Sequence, residues 1–178
     1  MSQIVPTEND NYFRNQLVHG YVHDPGAAMQ GGVGGHAGVF SNAEDLAKIW
    51  QMYLNKGSYG GVKYIDSATV AEFTKCQFCE PNDKGNRRAV GFDKPVRGDD
   101  GGPTCSCVSY ASFGHTGFTG TISWADPEEN LIYIFLSNRI YPTAENRKLI
   151  SMNIRTDIME VIYASLNDST LDDMAVVQ

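Results

Sequence analysis

The stretch Thr121-Ile122-Ser123-Trp124-Ala125-Asp126-Pro127-Glu128-Glu129-Asn130-Leu131-Ile132-Tyr133-Ile134-Phe135-Leu136 decides the fold. Its first four residues alternate polar and apolar, as a half-buried strand does. Asp126 to Asn130 is turn chemistry, with proline presetting the backbone angle and Asp and Asn tolerating turn positions. Leu131 to Leu136 is an unbroken apolar run, which fits a central or doubly covered strand. Two strands joined by a short connection predict an antiparallel hairpin.

Upstream lies Ser112-Phe113-Gly114-His115-Thr116-Gly117-Phe118-Thr119-Gly120, rich in glycine and hydroxyls around one histidine. So little bulk at the start of a strand implies either a tight turn or something lying flat against the main chain.

Helical signals flank the hairpin. Ser41-Asn42-Ala43-Glu44 matches a capping box with Ser41 as N-cap. Leu46, Ile49, Trp50 and Tyr53 then follow at helical steps, and Lys56-Gly57 supplies a cationic last turn and a left-handed stop. A shorter helix is predicted from about Ser67 to Lys75, with Val70 and Phe73 inward. A long one is predicted from Glu145 to Leu166, on the row Leu149, Ile150, Ile154, Ile158, Ile162 and Leu166. Residues 1–40 read as an irregular Gly-rich segment ending in GGVGGHAGVF. No strand signal precedes that glycine loop and no Lys-Ser/Thr ends it, so it reads as a packed loop rather than a phosphate cradle. Residues 80–110 read as loop, with a short strand at Ala89 to Phe92. The triplet Arg97-Gly98-Asp99 is read as solvated loop, and 167–178 as a frayed tail. The order of elements gives an α+β fold, an antiparallel sheet flanked by helices, in a single domain spanning 1–178.

Composition sets limits. Of 178 residues, 42% are hydrophobic and 20% charged, which suits a globular core. The formal net charge is −7 and the basic residues are scattered, which argues against a nucleic-acid partner. No apolar run reaches the length of a membrane span. The N-terminus lacks the charged and apolar regions of a signal peptide.

The four cysteines form two close pairs, Cys76 with Cys79 and Cys105 with Cys107. Zinc on four thiolates is one reading, weakened by the single residue inside the second pair. Loop thiols joined as disulfides in an oxidising compartment are the other.

In the order GGVGGHAGVFSNAEDLAKIWQMYLNKG, DSATVAEFTK and SFGHTGFTGTISWADPEENLIYIFLSNRIYP, residues 20–165 resemble the second half of the serine β-lactamase and penicillin-binding-protein-like hydrolases. The branch is the one shared by class C β-lactamases and serine esterases. HDPGAAMQGG together with CQFC most resembles a β-lactamase-like domain fused to a family 3 glycosidase of the β-N-acetylhexosaminidase type in Bacteroidetes. The resemblance implies a partial β-lactamase/transpeptidase-like fold. It also implies that His115-Thr116-Gly117 is the family's third motif, usually Lys-Thr-Gly and often His-Thr-Gly among esterases.

By that match His115 supplies a positive or hydrogen-bonding group, Thr116 a hydroxyl and Gly117 an open cleft. The Phe118 amide is one of two oxyanion donors, each worth about 2.7–4 kcal/mol to a transition state. His36 and Ala37 would border the acyl pocket. Asn138 and Arg139 would meet a substrate carboxylate, although packing or capping is the plainer role for both pairs. His19 and His23 read as structural, with His23-Asp24 as a local pair.

No serine has a lysine three positions on, so the family's nucleophile motif is absent. Tyr53-Leu54-Asn55 and Tyr163-Ala164-Ser165 match its second motif literally but fall on non-catalytic helices. The expectation is a C-terminal portion, inactive alone, of a hydrolase that acts on amide, ester or lactam carbonyls. Its substrate would be a small molecule or peptidoglycan peptide, with no cofactor required and zinc as a minor possibility. The 131–136 strand would lack a neighbour and present an edge for self-association. The alternatives are a non-catalytic cell-wall-peptide-binding or docking module beside a glycosidase, and a zinc-stabilised interaction domain. The resemblance implies a periplasmic or envelope location.

Overall fold

A computed structural model of the chain describes residues 4–79, 87–96 and 102–166. The loop triplet at 97–99 and the tail at 167–178 lie outside them.

The first forty residues are not irregular. Strand β1 (Pro6–Asp10) pairs antiparallel with β2 (Gln16–His19). The turn between them is built on Asp10, whose carboxylate accepts the amides of Tyr12, Phe13 and Arg14. Helix α1 (Pro25–Met29) follows, with Asp24 as its N-cap accepting the Ala27 amide at 2.7 Å. The hairpin has no alternating apolar pattern because buried charge holds it. Arg14 bridges Glu8 and Asp10 at 2.6 Å each and donates to the Val22 and His23 carbonyls. Burial alone would raise the Asp10 carboxyl. The Arg14 hydrogen bond and the three amides outweigh that and hold it well below the usual carboxylate range.

Helix α2 (Ala43–Leu54) starts one residue later than the capping box predicts. Asn42, not Ser41, is the N-cap, and its side-chain oxygen accepts the Asp45 amide at 2.9 Å. The Ser41 hydroxyl donates instead to the Asn42 carbonyl. Ile49 is exposed while Trp50 is buried. Asn55 caps the far end, and Lys56 and Gly57 both take the left-handed conformation. A side chain at Gly57 would collide with the Ile65 carbonyl, so glycine is required there. A small hairpin, β3 (Ser58–Tyr59) and β4 (Val62–Lys63), leads to helix α3 (Ser67–Thr74). On α3 only Val70 is buried; Phe73 faces outward, because so short a helix has one inner position.

The expected strand at 89–92 is a tight turn. The Ala89 amide donates to the Phe92 carbonyl around a left-handed Gly91. Its flanks, Arg88 and Asp93, bridge to each other, and Asp93 bridges on to Gly114.

The main sheet is antiparallel, β5 (Phe113–Thr116), β6 (Ile122–Asp126) and β7 (Leu131–Phe135), in that order. The hairpin of the opening stretch is β6 and β7, in register from Ile122–Phe135 to Asp126–Leu131. Strand alternation sends Ile122, Trp124 and Tyr133 to one face, where they meet Met159 and Tyr163. Ala125, Ile132 and Ile134 go to the other, against Trp50 of α2 and Phe113. Both faces are therefore covered, as the unbroken apolar run requires. Among the described residues β7 pairs with β6 only.

The long C-terminal helix is two pieces, α4 (Lys148–Ser151) and α5 (Ile154–Leu166). Asn153, in the left-handed region, separates them. Met159 and Tyr163 are the buried contacts of α5, while Ile150, Ile158 and Leu166 are exposed. The predicted apolar row is thus split: Ile162 packs against the sheet-side core, Leu149 and Ile154 are part-buried, and the other three face solvent. Asp126 closes the core beneath α5: its carboxylate accepts from Ser109 and from the Tyr163 hydroxyl at 2.8 Å. Burial, reinforced by that bond, pushes the Tyr163 phenol up.

Candidate functional site

His115 and Thr116 end β5, the strand at one edge of the sheet. The turn to β6 is closed by the Gly117 amide on the Thr121 carbonyl and the Gly120 amide on the Gly117 carbonyl, both 2.9 Å. At Gly114 a side chain would strike the Trp124 ring, so β5 can lie this close to β6 only with glycine. Phe118 stands at the crest of the turn and is 60% exposed. Among the described residues its N–H has no intramolecular acceptor.

His115 is exposed and held at both ring nitrogens. Nε2 lies 3.1 Å from Arg88 Nη1 and Nδ1 lies 2.7 Å from the Thr116 carbonyl. A guanidinium only donates, so Nε2 accepts and Nδ1–H donates to the carbonyl. Arg88 also bridges Asp93 at 2.7 Å. The 88–93 turn thus hangs a permanently charged fork beside the histidine. Sequence reading missed Arg88, which lies 27 positions before His115 in a segment read as loop. The excess of turn residues around a single Arg-Arg pair was the only available signal.

The Phe118 ring is held by its surroundings. It stacks on His23, with centroids 4.8 Å apart, and the Arg139 guanidinium sits 4.7 Å from its centroid. His23 pairs with Glu8 at 3.5 Å, not with Asp24. Asp24 pairs instead with His36 at 3.0 Å. The Ala27 amide, then His36, hold the Asp24 carboxyl below its ordinary range. His19 Nε2 lies 2.6 Å from the Ile4 carbonyl, a structural contact. His36 is exposed and Ala37 half-buried on the loop after α1, and among the described residues no hydrogen bond or ion pair joins either to His115 or Phe118.

The Asn138 side chain is engaged within the chain. Its amide donates to the Pro6 and Thr7 carbonyls at 2.7 and 3.0 Å and accepts the Ile140 amide, stitching β1 to the end of β7. Arg139 is likewise engaged, by the Phe118 ring and the Ala144 carbonyl at 3.1 Å. Packing is the role the geometry gives to both. The cysteines form two local disulfides, Cys76–Cys79 and Cys105–Cys107. A disulfide sulfur offers no thiolate, so zinc on these four residues would require both bonds to be reduced. Among the described residues no group of three or more His, Cys, Asp or Glu side chains is arranged to hold a metal ion.

Residues 6–152 match the beta-lactamase family. The chain belongs to that family. Among curated proteins it is 36% identical over 160 aligned positions to a "Putative D-alanyl-D-alanine carboxypeptidase" of Salmonella typhi, and equally to those of Salmonella paratyphi B and Salmonella newport. These alignments cover 83% of the chain and 35% of each relative, so the chain spans about a third of the length of the curated relatives it matches. Among solved structures, a β-lactamase from Mycobacterium bovis superposes with a TM-score of 0.50 at 24% identity. That match covers 71% of this chain and 46% of the other, and supports the fold. The mixed helix and antiparallel-sheet architecture is thus a partial β-lactamase/transpeptidase-like fold. No helix among the described residues is long and apolar enough to cross a membrane.

Proposed function

We propose that the chain is the C-terminal portion of a serine hydrolase resembling the D-alanyl-D-alanine carboxypeptidases. It would supply one wall of the cleft and one oxyanion donor. The observation that carries this reading is the Phe118 N–H, left without an acceptor directly after His-Thr-Gly on an edge strand. A serine from sequence outside these residues would attack the scissile carbonyl. The electron pair would pass to the carbonyl oxygen, where the Phe118 amide donates to the developing charge.

Thr116 would hydrogen-bond the substrate beside it. His115, fixed by Arg88 and the Thr116 carbonyl, would present its ring edge to the cleft rather than a mobile charge. With Asn138 and Arg139 engaged elsewhere, Arg88 would receive the carboxylate of a peptide C-terminus, through donors not spent on Asp93 and His115. A cell-wall peptide substrate, an envelope location and an adjoining family 3 glycosidase domain belong to the same reading. The first two rest on the carboxypeptidase relatives and the last on the HDPGAAMQGG and CQFC segments.

The test is acylation by a fluorescent penicillin. The 178-residue chain alone should stay unlabelled, and the protein extended by its upstream coding sequence should label at a Ser-x-x-Lys serine. Replacing Arg88 by Ala in the extended protein should lower kcat/KM for a peptide ending in a free carboxylate by about 10-fold or more, and much less for its amide. Labelling of the chain alone would overturn the reading. An extended protein that carries Ser-x-x-Lys yet never labels would favour the binding module.

A further inference from the structure

A cavity of about 690 Å³ lies away from His115 and Phe118. It opens between the C-terminal end of α2, the length of α3 and the residues leading into β5. The β5–β6 register places Phe113 and the Pro127 turn at one end of the sheet and the 117–120 turn at the other. None of His115, Thr116, Gly117 or Phe118 lines the cavity.

Its chemistry is unusual for a chain of net charge −7. Lys56, Lys75 and Lys94 line it, and no Asp or Glu does. Lys75 has a carboxylate partner in Glu72, but Lys56 and Lys94 have none among the described residues. Lys94 is 4% exposed. Its ammonium donates to the Ala111 carbonyl at 2.8 Å and sits 5.8 Å from the centroid of the Phe113 ring.

An ammonium has three donors, and this one has a single oxygen acceptor. Burial pushes its pKa down to about 8, with Asp126 acting weakly in the opposite direction. Asp126 acts on Lys94 only at a distance: its oxygens accept from Ser109, Glu128 and Tyr163, and no ion pair joins it to the ammonium among the described residues. A buried cation whose nearest counter-charge is not in direct contact is costly, and an anion bound against it relieves that cost. Beside Lys94 the walls are apolar, with Leu54, Val70, Ala71 and Phe113 among them.

We infer that this cavity is a binding site for a small monocarboxylate with an apolar or aromatic body. The carboxylate accepts the two unfilled Lys94 donors, Lys56 adds positive charge at the cavity wall, and the body lies against Val70 and Phe113. The site is independent of acyl transfer, so it is tested on the chain as it stands.

The experiment is amide NMR titration of the 178-residue protein with benzoate, benzamide and inorganic phosphate. Benzoate should bind saturably and shift Val70, Ala71 and Phe113. Benzamide, of the same shape without charge, should bind at least 10-fold more weakly, and phosphate, without the apolar body, likewise. Lys94→Met should weaken benzoate at least 10-fold, and Lys94→Arg should retain most of the binding. Equal affinity for benzoate and benzamide, or no shifts at these residues, would overturn the site. Where Lys94→Met does not fold, the benzoate-to-benzamide ratio on the unsubstituted protein decides.

Discussion

The β5–β7 sheet and the β1–β2 hairpin are both antiparallel, yet different forces hold them. The sheet is a sandwich of apolar side chains, with Trp124 and Ile122 each 1% exposed beneath α5 and Ala125 fully buried beneath α2. The hairpin buries Glu8, Asp10 and most of Arg14, and its exposed face carries Leu17. Apolar burial is tolerant of small geometric error and insensitive to pH. A buried ion network is the reverse: satisfied it holds the turn, and broken at one member it leaves an uncompensated charge. The two halves of the structure should therefore fail differently.

The largest effect is expected at Trp124. Trp124→Ala removes the largest fully buried side chain and the bond from its Nε1 to the Ser112 hydroxyl. It should cost about 4 kcal/mol in urea denaturation, with the whole chain losing structure together. Next is Arg14→Met, which keeps bulk but strands Glu8 and Asp10. A loss of about 3 kcal/mol is expected, seen first as hydrogen exchange at residues 6–19 while the sheet amides stay protected. Uniform loss across both regions would show that the hairpin and sheet are one cooperative unit.

The same contrast predicts a pH response. The Asp10 carboxyl is depressed in the folded state, so its contribution is present above the unfolded carboxylate range and lost as pH falls through and below about 4. Acidification should open the hairpin before the sheet, and Arg14→Met should remove much of that difference. Exchange-rate profiles at pH 6 and pH 3 would read it. The smallest effect concerns α2: Asn42→Ala should cost about 1 kcal/mol, and Ser41→Ala under about 0.5 kcal/mol. Equal losses would restore Ser41 as the cap.

What was legible follows the same division. The sheet, α2 and the pairing at the opening stretch were visible because period and turn chemistry determine them locally. The hairpin was not, because its signal is charge complementarity among Glu8, Asp10, Arg14 and His23, which no periodic pattern carries. Helix α5 was placed but its face was misjudged: the predicted row included Ile158 and Leu166, which are exposed, and left out Met159 and Tyr163, which fill space beside Trp124, Tyr163 also bonding Asp126. At the candidate site, His115 to Phe118 were singled out by resemblance. Arg88 was not, because its place depends on the Asp93–Gly114 bridge, a contact with no local sequence signature.

That bridge also limits what can lie along β5. Gly114 spends both its amide and its carbonyl on Asp93, at 3.2 and 2.7 Å. Alternation along the strand makes Thr116 the next residue whose main chain points outward. An extended visitor therefore finds a berth barely one ladder pair long, blocked at its inner end by the chain itself. To run further along β5, an added strand would have to displace the Asp93 bridge.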